Sequence, residues 1–308
     1  MSSSSPSSPT LTIAASSPIT PTTATTLTNE PNPNSERKRI LVTGATGKQG
    51  LATVRALLRL NSPSKEEEQE REGFHVLALT RNAKSKAAQE LVSLQGQGQG
   101  EVEVEVVEGD LTDEGSIRDI FERYACRETG KGEGEREGGK KEKGKGGGGG
   151  IWGVFSVQAF PGLGVDAGGE EAQGKLIATL ASEYGVSHFI YSSSERAEEI
   201  YDEEAKPGTS HEAKVRIERR VMELGLPGWT ILRPVRFMEN FGGPLGGITF
   251  AVFKAGLKRD TKMDLVAVDD VGQIAAEVFR NPTPYTHKIL VPIGDALTCT
   301  QVESTYKK

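Results

Sequence analysis

The chain has 308 residues, a net charge of −6 and a pI near 5.5, which argues against a general nucleic-acid-binding protein. Its apolar runs are too short to predict a transmembrane helix. The only cysteines, Cys126 and Cys299, make neither a disulfide framework nor a zinc site, which is typical of a reducing compartment.

Three stretches are too polar to join a hydrophobic core. Residues 1–35 contain 9 Ser, 8 Thr and 6 Pro, residues 61–73 are almost wholly polar, and residues 127–150 have no apolar side chain. Such segments cannot bury enough surface to offset chain entropy. We therefore predict a disordered tail over 1–35 and one globular unit over 37–308 that carries low-complexity insertions at 61–73 and 127–150.

The N-terminal segment lacks the basic start and apolar core of a secretory signal. It is Ser-rich and poor in acids, as transit peptides are, but its first basic residue is Arg37. We therefore expect a cytoplasmic or nuclear protein.

From residue 37 onward, short β-branched runs alternate with longer segments of helical periodicity. The pattern predicts strands over 39–43, 74–80, 102–108, 151–157, 188–191 and 229–232. It predicts helices over 49–60, around 87–94, from an N-cap at Thr112, over 175–184 and over 212–224. This alternation, with strands apolar enough to be covered on both faces, indicates an α/β fold with a Rossmann-type, doubly wound parallel sheet.

The sharpest local signal is the glycine-rich turn between the first predicted strand and helix. Residues 42–50 read VTGATGKQG, which is the spacing of a dinucleotide-binding turn. Gly44 would allow the tight turn, Gly47 the close approach of a pyrophosphate, and Gly50 the packing of helix against strand. The phosphates would lie at the helix N-terminus, where unpaired N–H groups favour anions. The alternative is a tight turn without a ligand.

The end of the second predicted strand indicates which dinucleotide is preferred. NAD sites carry Asp or Glu there for the ribose 2′-hydroxyl, whereas this chain has Arg81, followed by Lys84 and Lys86. A guanidinium suits a 2′-phosphate, so we expect NADP(H) to bind more tightly than NAD(H). The alternative is a solvated, basic start of the next helix.

Asp110 closes the third predicted strand. Its carboxylate could accept a hydrogen bond from the adenine amino group, and capping of the next helix is an equally good explanation. Asp269 and Asp270 are best explained as the N-cap and first-turn acid of a helix. The four His residues show no metal-ligand spacing, so no metal site is predicted.

Seven blocks occur in order: TGATGKQG, LTRNAKSKAAQEL, VEGDLTD, VFSVQAF, AQGKLIATLASEYGVSHFIYSS, HEAKVRIE and ILRPVRFMENF. Together they resemble the NmrA-like family, an atypical branch of the short-chain dehydrogenase/reductase superfamily, over residues 38–295. The resemblance implies cofactor contacts at Gly44, Ala45, Thr46, Gly47, Lys48, Gln49, Arg81, Asp110, Leu111, Gln158 and Lys214. It also implies that Phe237, Met238, Glu239 and Asn240 lie by the nicotinamide.

Two features depart from the family pattern. The family usually has a His four residues before the position of Lys214, where this chain has Ser210, with His211 one place away. The sequence after Asn240 is also short, since residues 241–263 lead directly to the next block. We therefore expect a small, shortened C-terminal substrate lobe.

The residues for hydride-transfer chemistry are incomplete. Active short-chain dehydrogenases need a Tyr four residues before a Lys, and a Ser that polarises the carbonyl. Lys214 is the candidate for the lysine role, and Ser193 or its neighbours Ser192 and Ser194 for the serine role, but no Tyr in the chain has Lys at i+4. His211 is a candidate proton shuttle or, alternatively, a helix cap. Tyr191 is expected to pack in the core.

Three functions remain open. The favoured hypothesis is an NADP(H)-binding regulator that senses redox state or nucleotide, with a transcription factor as the partner suggested by the family resemblance. The second is an NADPH-dependent reductase of a small carbonyl or enone compound. The third is a degenerate member of the family that binds nothing well.

Overall fold

The structure is a computed structural model that describes residues 37–60, 73–94, 103–125, 150–160, 162, 165–196, 208–242 and 246–306. The predicted tail at 1–35 and nearly all of the predicted insertions at 61–73 and 127–150 lie outside the described residues.

Strands and helices alternate along the first part of the chain. They are β1 (Lys38–Val42), α1 (Lys48–Arg59), β2 (Phe74–Thr80), α2 (Lys86–Ser93), β3 (Glu103–Glu108), α3 (Glu114–Ala125), β4 (Ile151–Ser156), α4 (Gly168–Glu183), β5 (His188–Ser192), α5 (Ser210–Glu223) and β6 (Trp229–Leu232). After them come β7 (Arg236–Phe237), α6 (Gly246–Gly256), β8 (Lys262–Val266), α7 (Val268–Arg280), β9 (Lys288–Leu290), β10 (Asp295–Thr298) and α8 (Cys299–Tyr306). None of the helices in the described ranges is long and apolar enough to cross a membrane.

Seven parallel strands form the central sheet, in the order β3-β2-β1-β4-β5-β6-β9. The chain runs outward from β1 to β3 and then returns to the other side of β1 with β4. That reversal opens a crevice beyond the carboxyl ends of β1 and β4, where sheets of this type bind ligands. The predicted Rossmann-type, doubly wound fold is confirmed.

Both faces of the sheet are covered, because successive residues of β1 enter different cores. Ile40 and Val42 pack in the cluster that includes residues of α1, α2 and α7. Leu41 packs in the other cluster, with residues of α3, α4 and α5. Burial on both sides explains why the strands read as nearly continuous apolar runs.

A small C-terminal lobe is present, as predicted. Its three-stranded sheet has the order β10-β8-β7, and α6 and α8 pack with it around Phe241, Met263 and Val302. The Tyr306 hydroxyl donates a hydrogen bond to the Met238 carbonyl at 2.6 Å. This bond fastens α8 to the short 3-10 helix Met238–Asn240, which directly follows β7.

Two predicted helix starts are wrong. α4 begins at Gly168, seven residues before the predicted start. The glycines at its start are poor helix formers, but Glu170 and Glu171 stabilise the first turn. Asp113 rather than Thr112 caps α3, since its Oδ1 accepts hydrogen bonds from the Gly115 and Ser116 N–H groups at 2.9 and 3.4 Å.

Candidate functional site

The glycine-rich turn requires glycine at its first position for the backbone conformation and at its third for space. Gly44 has φ +57°, a left-handed conformation that favours glycine, and its missing Cβ would lie 3.1 Å from the Val157 carbonyl oxygen. A Cβ at Gly50 would lie 2.2 Å from the Gly44 carbonyl oxygen, which α1 therefore approaches closely. Gly47 N–H closes the turn with a 2.8 Å hydrogen bond to the same oxygen.

A buried threonine fixes this turn against the end of β4. The Thr43 hydroxyl donates to the Val157 carbonyl at 3.0 Å and accepts from the Val157 N–H at 2.9 Å. These two hydrogen bonds connect the ends of β1 and β4, which lie on either side of the strand reversal. The two residues are 114 positions apart in the sequence. Sequence reasoning missed Thr43, because nothing local marks a hydroxyl whose partners lie so far along the chain.

The N-terminus of α1 is open and free of negative charge. Gly47 occupies the N-cap position without a side-chain cap, and the first turn carries no acidic residue. Thr46, Gly47 and Lys48 are exposed, whereas Ala45 is buried beneath them. The end of the helix dipole and its uncapped N–H groups therefore face the crevice, an arrangement that attracts an anion.

Polar side chains from β4, β5 and α1 meet further along the crevice. Gln49 accepts a 2.6 Å hydrogen bond from the Ser192 hydroxyl at the end of β5. The Gln158 amide donates to the Ser156 hydroxyl at 2.9 Å. The buried Gln158 Oε1 and Ser193 Oγ have no hydrogen-bond partner in the described part of the chain. Buried polar atoms of this kind require an explanation, and hydrogen bonding to a ligand is one.

Arg81 and Asp110 lie at the ends of the neighbouring strands β2 and β3. The Thr112 N–H and hydroxyl bind the Asp110 carboxylate at 2.9 and 2.8 Å and lower its pKa, and the charge of Arg81 lowers it further. Asp110 therefore organises the turn before α3 instead of capping that helix. Arg81, Lys84 and Lys86 are exposed, and the side chain of Leu111 packs against the core.

Lys214 is paired with a carboxylate that sequence reasoning missed. Its Nζ lies 2.7 Å from Oε1 of Glu170, whose side chain is 1% exposed. The Ser210 hydroxyl donates to the other oxygen, Oε2, at 2.6 Å. Ser210 occupies the position of the missing tyrosine, four residues before Lys214. Glu170 of α4 thus contacts both Ser210 and Lys214 through one carboxylate.

One turn further along α5, Glu218 forms a second buried ionic cluster. Its carboxylate contacts Arg196, which follows β5, and the Arg233 Nη2, which follows β6, at 2.7 Å. The sequence does contain a signal for both glutamates, because each lies on the buried and otherwise apolar side of its helix. Glu170 shares that side of α4 with Gly174 and Ile177, and Glu218 shares that side of α5 with Ile217 and Val221. A charge in such a position requires a partner.

Two titratable candidates behave differently from a catalytic acid. Burial raises the pKa of the Tyr191 hydroxyl well above its usual value, and the nearby Glu170 and Glu218 raise it further, which agrees with its expected place in the core. His211 does not cap α5, because the Thr209 side chain accepts from the Glu212 N–H instead. The Nε2 of His211 is buried and has no hydrogen-bond partner among the described residues.

The segment expected beside the nicotinamide is tied to the small lobe. Glu239 Oε1 accepts a 3.0 Å hydrogen bond from the Val268 N–H at the start of α7, so Glu239 performs the capping expected of Asp269. Asp270 lies in the first turn, as predicted, but Asp269 also lies there and not at the N-cap, which is Ala267. The neighbouring Phe237 and Met238 are partly buried and Asn240 is exposed.

Comparisons with known proteins agree with this architecture. A model of the NmrA-like family matches residues 36–126 and 149–308, a match that leaves out most of the predicted insertion at 127–150. The NmrA-like family domain-containing oxidoreductase himF of Aspergillus japonicus is 27% identical over 283 residues, which cover 87% of this chain and 71% of that protein.

Two solved structures share the fold at low identity. The Bordetella bronchiseptica enzyme WbmG in complex with NAD is 18% identical with a TM-score of 0.55, and the match covers 90% of this chain and 80% of that one. The Escherichia coli NADPH-dependent quinone oxidoreductase QOR2 complexed with NADPH is 19% identical with a TM-score of 0.55, and the match covers 87% and 76% of the two chains.

Proposed function

This chain belongs to the NmrA-like family, and we propose that it binds NADP(H) in the crevice between β1 and β4 and acts as a nucleotide-sensing regulator. The observation that carries the proposal is the glycine-rich turn. At Gly50 a side chain would collide with backbone atoms, the left-handed φ of Gly44 favours glycine, and the turn ends at an uncapped helix N-terminus.

The residues around the crevice fit a dinucleotide. A pyrophosphate would be held by the N–H groups at the start of α1, where no carboxylate competes for them. The unpartnered Gln158 Oε1 and Ser193 Oγ would gain partners at the far side of the crevice. Lys214, at the start of α5, would bind the nicotinamide ribose. Structural relatives that bind NAD and NADPH support this assignment.

The preference for NADP(H) rests on Arg81. The guanidinium is exposed at the end of β2, near enough to Asp110 to lower the pKa of its carboxyl group. A 2′-phosphate there would meet Arg81 and the exposed Lys84, whereas an NAD site would present a carboxylate.

Calorimetric titration with both dinucleotides tests the binding and its selectivity. We expect NADPH to bind at least several-fold more tightly than NADH, and Arg81→Asp to reverse the order. Arg219→Asp, which makes the same charge change at an exposed position of α5, serves as the control and should leave the ratio unchanged. Equal affinities, or no binding of either nucleotide, would overturn the proposal.

The regulatory role is favoured because a proton donor for reduction is lacking where the family fold would need it. When bound, the dinucleotide can supply a hydride, but the tyrosine position holds Ser210, which donates its hydrogen bond to Glu170. Tyr191 is fully buried and its raised pKa keeps it neutral. Dinucleotide binding would then act through a change in conformation or partner affinity, with a transcription factor in the cytoplasm or nucleus as the proposed partner.

A second candidate function is reduction of a small carbonyl or enone compound. It is favoured by the curated relative himF, which is called an oxidoreductase, and by the fold shared with a quinone oxidoreductase. NADPH oxidation across a panel of carbonyls, enones and quinones separates the two functions. The regulator should show no turnover above background, whereas turnover that Lys214→Ala abolishes would establish the reductase.

A further inference from the structure

The ion pair between Glu170 and Lys214 is built from two different helices. Glu170 lies in the first turn of α4 and Lys214 one turn into α5, and both helices start at the carboxyl edge of the sheet. A Cβ at Gly174 would lie 2.4 Å from the Ile217 Cδ1, so α4 and α5 pack closely one turn below the pair. This close packing lets a glutamate side chain span the gap between the helices.

Both oxygens of Glu170 are engaged within this cluster. Oε1 is ion-paired with the Lys214 Nζ at 2.7 Å without hydrogen-bond geometry, and Oε2 accepts from the Ser210 hydroxyl at 2.6 Å. Burial of a carboxylate is costly unless it is paired and hydrogen-bonded. Lys214 supplies the opposite charge and Ser210 the hydrogen bond, and their spacing of four residues places them on one face of α5.

Lys214 keeps hydrogen-bonding capacity after pairing with Glu170. An ammonium group has three N–H donors, and a single oxygen of Glu170 lies beside it. The Lys214 side chain is also 16% exposed, whereas that of Glu170 is 1% exposed. The ammonium group therefore has a buried side that faces Glu170 and a more open side.

Other charges nearby pair among themselves. Glu171 forms ion pairs with Lys175 and Arg216, and Glu212 also pairs with Arg216. Glu218 pairs with Arg196 and Arg233. Glu170 is therefore the carboxylate that balances the charge of Lys214.

We propose that Glu170 is a positioning residue for the dinucleotide. It holds the Lys214 ammonium group at the crevice, while Ser210 fixes the orientation of the Glu170 carboxylate. This chain thereby replaces the contribution of the missing tyrosine–lysine pair with a serine–glutamate–lysine cluster. The inference rests on the proposed binding of NADP(H).

A double-mutant cycle tests the positioning role directly. NADPH affinity is measured by calorimetry for the intact chain, for Glu170→Gln, for Lys214→Gln and for the double variant. We expect each single change to weaken binding about tenfold, which corresponds to about 1.4 kcal/mol. The double variant should be no weaker than either single variant, because each change removes the same interaction. Glu171→Gln, one residue away, is the matched control and should bind like the intact chain.

A second measurement follows the chemical reactivity of the Lys214 amine in the absence of nucleotide. Reductive methylation modifies accessible amines, so its rate at Lys214, followed by mass spectrometry at one fixed pH, reports how firmly the side chain is held against Glu170. Glu170→Gln should label Lys214 at least threefold faster than the intact chain, and Glu171→Gln should not. Circular dichroism establishes that each variant is folded.

The outcomes distinguish this inference from the proposed function. Absence of NADPH and NADH binding to the intact chain would overturn both. Normal binding by the intact chain together with unchanged affinity in Glu170→Gln would overturn the positioning role alone. Weakened binding in Glu170→Gln with unchanged labelling of Lys214, or full additivity in the double variant, would also overturn it.

Discussion

The two halves of the crevice satisfy their polar groups in opposite ways. At the ends of β1, β2 and β3, the turn presents backbone N–H groups and Arg81 lies exposed. The second half is formed by the segments that follow β4, β5 and β6. There, charged side chains are buried and pair with each other, as Glu170 does with Lys214 and Glu218 with Arg233.

This difference predicts which substitutions affect nucleotide binding and which affect the stability of the fold. An anion site built from backbone needs small residues and an open helix end, so a ligand can complete it without disturbing the core. Buried charges, in contrast, depend on partners within the chain, and loss of one partner leaves the other uncompensated. Changes in the first half should therefore act mainly on nucleotide affinity, whereas loss of a buried charge in the second half should also lower the free energy of unfolding.

The largest expected effect is in the second half, at Glu218. Glu218→Leu removes the carboxylate between Arg196 and Arg233 and should lower the free energy of unfolding by about 3–5 kcal/mol, because two cations remain in a buried site. Urea denaturation measures the change. Glu171→Gln affects a more exposed pair and should cost at most about 1 kcal/mol. Similar effects of the two substitutions would contradict the dependence of the second half on its buried charges.

The next effect is in the glycine-rich turn. Gly50→Ala places a Cβ against the Gly44 carbonyl oxygen, so it should destabilise the fold by about 1–3 kcal/mol and weaken NADPH binding. Gly169→Ala is the matched control, because Gly169 is also helical and has no atom within 4 Å of its missing Cβ. That substitution should stabilise the chain by about 0.4–1 kcal/mol. Denaturation and calorimetry on both variants provide the test, and unchanged NADPH affinity in Gly50→Ala would argue against this turn as the binding site.

A pH-dependent effect lies outside both halves, at His188, the first residue of β5. Burial lowers the pKa of His188 to about 4, and the charge of His287 lowers it further. Between pH 6.5 and 4 the unfolded chain binds a proton at this residue that the folded chain does not. The contribution of His188 to stability should therefore be complete above pH 6.5 and fall as the pH drops, by at most about 1.4 kcal/mol per pH unit.

Comparison with His188→Asn isolates this contribution. The variant should show a shallower loss of stability with falling pH, measured by urea denaturation at several pH values. Its NADPH affinity at pH 7 should equal that of the intact chain, because His188 is at the amino end of the strand, away from the crevice. An equal pH slope in the variant would show that His188 does not titrate in this way.

Much of the scaffold follows from local sequence. The predicted bounds of β2 and β6 coincide with those observed, since each is an apolar run of strand length. The glycine-rich turn was equally readable, because the conformation at Gly44 and the close approach at Gly50 both demand glycine. These features depend on residues adjacent in sequence, and periodicity and glycine spacing encode them.

Tertiary structure alone decided how the polar side chains are paired. Glu170 and Lys214 are 44 positions apart, Thr43 and Val157 are 114 apart, and Glu239 caps a helix that begins 29 residues later. The caps at Asp113 and Thr209 are local, but which of the neighbouring side chains binds the first N–H groups of the helix depends on where the folded helix begins. Sequence patterns determine which residues are buried, but the partner of a buried polar group is whichever one the packing of distant elements brings within hydrogen-bonding distance.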